Sequence, residues 1–160
     1  MLSICEALQH SKTLLTILGW APLAAGLEVV HYFGVFLLVG SVAFVDLRVL
    51  GLAARRRSLS ELSAQIFPAA WIGLAMIVVS GFLMFTTSAA DYYRDPTFHM
   101  KMLVTLGAVV FAAIVQKSAP GWERSGGTPI LAKAVALVCF VLLFLAILEG
   151  NLVPAISGIG

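Results

Sequence analysis

Glu28, His31 and Lys101 each interrupt a long apolar run, and Glu149 closes another. A charge inside such a run costs at least ~2.5–3.5 kcal/mol on insertion scales, so by default it marks function. Glu28 and His31 are three residues apart and share one face of a helix. That face continues through Gly34, Leu38 and Ser41. A glycine one turn from a histidine leaves room for something flat against the backbone, and a porphyrin ligated by imidazole suits such a gap. The plainer alternative is that Gly34 admits a neighbouring helix while His31 bonds to Glu28 or water. Lys101 continues along its own helix as Thr105, Ala108 and Ala112, a face of small residues expected to be buried.

His99 is a second candidate metal ligand. It lies two residues from Lys101, about 200° around a helix, so the two side chains do not face the same way. Its own face runs on through Leu103, Leu106 and Val110, which predicts contact with lipid or a partner. Met84, Met100 and Met102 are close in sequence to the same helix ends. Thioethers with imidazole suit Cu(I), and methionine is equally an ordinary filler of apolar helices. Zinc, P-loop, dinucleotide and serine-hydrolase patterns are absent from the sequence.

The elements that position these residues follow from composition. The 160 residues are 61% hydrophobic and only 11% charged, with a mean hydropathy of +1.02. A soluble domain is about half apolar and a quarter charged, so lipid is the expected solvent for most of this surface. Four segments approach the ~20 apolar residues needed to cross a bilayer: residues 22–45, 66–85, 98–115 and 130–148. They define one transmembrane domain over residues 1–160. Residues 2–20 mix polar and apolar positions and are expected to form a short interfacial helix, ended by Pro22. The fold expected is all-α, an integral membrane up-down four-helix bundle. Small residues at Gly34 and Ser41, at Gly73, Ser80 and Gly81, and at Ala108 and Ala112 would let the helices approach closely.

Charge placement predicts the orientation. Arg48, Arg55, Arg56 and Arg57 follow the first span, and Lys117 and Arg124 follow the third. The connection after the second span carries Arg94 against Asp91 and Asp95. Positive residues favour the cytoplasm, which places both termini in the periplasm of a bacterial inner membrane. The first residues lack a basic leader, so the spans themselves are expected to target the chain. Cys5 and Cys139 are far apart in sequence and are not expected to pair. The net charge of +2 gives no reason to expect nucleic acid as a partner.

Two stretches carry a family resemblance. The first span reads His31-Tyr32-Phe33-Gly34, then Gly40, then Asp46-Leu47-Arg48-Val49-Leu50. The third opens Phe98-His99-Met100-Lys101-Met102-Leu103-Val104. Together they resemble the membrane-bound, haem-containing protoporphyrinogen oxidases of the HemJ type, and more loosely the copper-resistance D membrane proteins. The resemblance covers the first three spans. It implies that His31 and Lys101 act as a functional pair and that the bundle holds a b-type haem.

Three functions remain open on these grounds, and whether the protein is an enzyme is open with them. The first is a redox protein with haem b ligated by His31, its imidazole oriented by Glu28. Lys101 and Arg94 would then meet haem propionates or an anionic substrate, Lys101 and Glu28 being the candidate catalytic groups. Electrons would pass to quinone or a periplasmic partner. The second is a non-catalytic membrane anchor or assembly subunit, alone or as a homo-oligomer, with Glu28 and Lys101 as a structural ion pair. The third is copper handling through His31, His99 and the methionines.

Overall fold

A computed structural model describes His10 and residues 18–125 and 128–157, with side chains described as far as Leu148. Most of the expected interfacial helix, Cys5 and the side chain of Glu149 lie outside the described residues. Among the described residues the helices are, in order, α1 (Ala21–Val49), α2 (Leu59–Thr87), α3 (Ala89–Arg94), α4 (Pro96–Arg124) and α5 (Ile130–Ser157). Four of them are long and apolar enough to cross a membrane, and no strand occurs among the described residues. The chain is an all-α, multi-pass membrane bundle.

The helices begin where local chemistry lets them. Pro22 in the first turn of α1 and Pro96 at the start of α4 lack an N–H that would find no intrahelical partner there. Ser58 caps α2, its Oγ accepting from the Glu61 N–H at 3.2 Å, with the serine-to-glutamate spacing of a capping box. Asp95 caps α4 by accepting from the Thr97 N–H at 2.9 Å. Past the end of α1, Gly51 takes a positive φ of 78°, a conformation that costs glycine little. The three helices of 29 residues each extend to about 43 Å, beyond a ~30 Å hydrocarbon core. Hydropathy therefore locates the middle of each helix, and capping sets its ends.

α1 packs most intimately on α2, and α4 on α5. These two hairpins meet through α1 with α5 and through α2 with α4, giving the ring order α1, α2, α4, α5. The buried core is made of Leu38, Val42, Val45, Val49 and Phe67 with alanines from α2, α4 and α5. Large apolar side chains such as Phe36, Phe82, Leu103 and Leu106 point outward instead. With apolar groups on both sides, size rather than hydrophobicity sorts inside from outside. Closest of all are Gly34 and Gly73. A Cβ on Gly34 would stand 2.8 Å from the Gly73 carbonyl oxygen, and one on Gly73 would stand 2.7 Å from that of Gly34.

Candidate functional site

His31 sits half-buried on α1, about a turn toward the N-terminus from the Gly34–Gly73 contact. By antiparallel register alone it would face Met76, three residues beyond Gly73. Side chains lean toward the N-terminus of their own helix, and this lean carries the imidazole toward Ile77, Ser80 and Gly81. Its Nδ1 lies 3.1 Å from Ser80 Oγ. Gly81 makes the space: a Cβ there would approach the ring's Cε1 to 3.1 Å and Nδ1 to 3.4 Å.

The hydrogen bonds identify the ring's available nitrogen. Ser80 is almost fully buried, and its hydroxyl donates to the Met76 carbonyl at 2.5 Å. A hydroxyl has one proton to give, so toward His31 the Ser80 oxygen accepts. Nδ1 therefore carries the hydrogen toward Ser80 in the neutral ring, the Ile77 carbonyl is a further acceptor at the imidazole, and Nε2 is the nitrogen that Ser80 does not engage. Lys101 of α4, half-buried, lies within electrostatic reach of this ring. The structure thus brings His31, Ser80 and Gly81 together across α1 and α2 toward one end of the bundle, with Lys101 of α4 within electrostatic reach.

The other expected residues are placed differently. Glu28 is exposed, and Ser80 rather than Glu28 holds the imidazole. The gap beside Gly34 is filled by α2, as the packing alternative required. His99 is exposed, and its Nδ1 bonds the Asp95 carbonyl of its own first turn at 2.8 Å. Met100 and Met102 are likewise exposed. Among the described residues, no three His, Cys, Asp or Glu side chains converge as a metal-binding group. Arg94 ends α3 on an exposed position. The α3 segment is braced by Tyr92, whose ring packs 6.1 Å from Phe85 and 5.1 Å from Phe98. Burial, and then the charge of Asp95, push the Tyr92 hydroxyl above its ordinary range, so it stays protonated.

Ser80 and Gly81 were visible in the sequence only as part of a small-residue stripe. Nothing local distinguishes a serine that receives a histidine from one that merely lets helices approach. The register of two helices and the lean of the side chain decide it.

A family profile matches residues 18–153, which take in α1, α2, α4 and all but the last turn of α5. The chain belongs to DUF6644, a family of unknown function. No curated protein and no solved structure gives a match. None of these findings ties this DUF6644 chain to the HemJ-type oxidases or to the copper-resistance D proteins.

Proposed function

We propose that this DUF6644 protein is a membrane redox protein whose working site is the group around His31, with haem b as its cofactor. One observation carries the reading: Ser80 engages Nδ1 and not Nε2, within electrostatic reach of Lys101. A hydrogen bond to the distal nitrogen is how proteins orient a ligating imidazole and raise its basicity. Nε2 would ligate the iron, and Lys101 and Arg94 would counter the propionates. When bound, the haem would supply one-electron transfer to quinone or to a partner outside the membrane.

The seam between α1 and α2 has no room for a porphyrin, because Gly34 and Gly73 already touch through their backbones. The macrocycle would have to lie outside that seam. This closed contact favours a second reading, a non-catalytic membrane subunit in which His31, Ser80 and Lys101 are a structural polar network. The copper reading draws least from the site, since His99 is turned to its own helix.

A reduced-minus-oxidised visible spectrum of the detergent-purified protein separates these readings. Haem gives Soret and α bands that His31→Ala abolishes and His99→Ala largely keeps. A colourless protein that co-purifies with stoichiometric partners would overturn the redox reading in favour of the subunit. Bands retained in His31→Ala but lost in His99→Ala would keep the cofactor and reassign its ligand.

A further inference from the structure

The bundle buries an acid that the His31 group does not use. Asp46, near the arginine-bearing end of α1, is 0% exposed, and neither of its carboxylate oxygens has a strong hydrogen-bond partner. The Cys139 thiol of α5 is within weak hydrogen-bonding range of it and also reaches the Ala108 carbonyl of α4 at 3.8 Å, so it offers the acid a shared, weak donor and no charge. On α1, Arg48 directs Nε and Nη2 to the Arg57 carbonyl, at 3.0 and 2.7 Å. On α2, Ser63 is buried and its hydroxyl is equally without a partner. On α4, Gln116 accepts from Trp71 Nε1 at 2.9 Å, and Lys117 is exposed. Lys133 of α5 is exposed as well. Among the described residues, no cation is placed to neutralise this carboxylate.

A buried, unpaired carboxylate takes up a proton or recruits a cation. The surroundings favour the proton, because a metal ion needs several oxygen ligands and no three-membered donor group is present among the described residues. An approach from the lipid side lies near the acid, without lining it. An apolar groove between α1 and α5 is lined by Val39, Ala43, Phe140, Leu143, Phe144 and Ile147. Ala43 is three residues from Asp46 and Leu143 four from Cys139, so the groove and the acid share one seam.

We propose that Asp46 is a proton-binding site, a carboxylic acid inside the bundle that gains and loses its proton at Oδ and is reached by apolar molecules along the α1–α5 groove. The exchange is with water at the arginine-bearing end, where α1 stops three residues later at Val49. It requires no other reactant.

Dicyclohexylcarbodiimide, an apolar reagent for protonated carboxyl groups, tests this on the full chain in phospholipid vesicles. The acid's proton adds to a reagent nitrogen and its oxygen to the central carbon, with no leaving group. Peptide mass spectrometry should find one added carbodiimide on Asp46 at neutral pH, lost in alkaline buffer, absent from Asp46→Asn and unaffected by sodium ions. Labelling of Glu28 without Asp46 would overturn the proposal, as would suppression of the Asp46 adduct by sodium at constant pH. Infrared spectra of the wild-type chain carrying ¹³C-aspartate need no variant. A protonated-carboxyl stretch at neutral pH is expected, and its absence would overturn the proposal even if no adduct formed.

Discussion

A single hydroxyl proton decides which nitrogen of His31 is available. Ser80 gives that proton to Met76 and offers only a lone pair to the ring. Ser80→Ala should remove one of the acceptors around the half-buried imidazole, the Ile77 carbonyl remaining, at a cost of about 1 kcal/mol. It should also weaken a metal held at Nε2 by about 10–100-fold, the usual effect of losing the group behind a ligand. Thermal unfolding and haem titration of the purified variant check both expectations, and unchanged values in both would detach Ser80 from the site. Asp46 shows a similar balance of costs. Holding an aspartate neutral at pH 7 costs ~4 kcal/mol from its ordinary value, and burying it charged costs several kcal/mol as well. Costs of similar size let a proton come and go. The shared face of Glu28 and His31 was legible because three-residue spacing is a property of one helix. The roles of Ser80 and Asp46 were not, because each depends on a second helix. Asp46 reads in sequence as the polar end of a span. It is buried because α1 continues past it to Val49 and Cys139 closes over it from α5.

At the level of helices, the Gly34–Gly73 contact fixes the register that delivers His31 to Ser80. Gly73→Ala would force a Cβ to within 2.7 Å of backbone atoms, which cannot give way as a flexible side chain can. Overpacking of this kind costs about 1–3 kcal/mol. Gly40→Ala is the control, since nothing lies within 4 Å of its added carbon. There the gain in helix propensity, about 1 kcal/mol or less, should leave the protein as stable or slightly more so. Equal losses for both variants in detergent unfolding would mean that the close approach is not there. At the arginine-bearing end, Glu123 of α4 accepts from Ser58 Oγ at 3.0 Å and from the Leu59 and Ser60 N–H groups at 3.2 Å each. Glu123→Ala should lower the unfolding temperature by uncapping α2. The existence of four long helices was legible from apolar length alone. Their ends were not. The Ser58–Glu61 spacing is readable, but hydropathy ignores it, and the six-residue α3 is too short and polar to register.

Over the whole molecule, the apolar exterior and the uneven charges describe one arrangement. Arg48 and Arg55 to Arg57 lie at the end of the bundle where Lys117 and Arg124 also lie, and His31 and Lys101 lie toward the other. Both proposed sites depend on this. The His31 group needs α1, α2 and α4 to cross side by side, and Asp46 needs α5 to return along α1. Three long helices separate Ser58 from the C-terminus, so these points must lie on opposite sides of the membrane if each helix spans it. The arginines predict that Ser58 is the cytoplasmic one. Paired topology reporters, one active only in the cytoplasm and one only outside, can be fused at Ser58 and at the C-terminus. A cytoplasmic signal at Ser58 and an external signal at the C-terminus are expected. The same compartment at both would contradict the four-span bundle and, with it, the placement of His31 and Lys101 in one site.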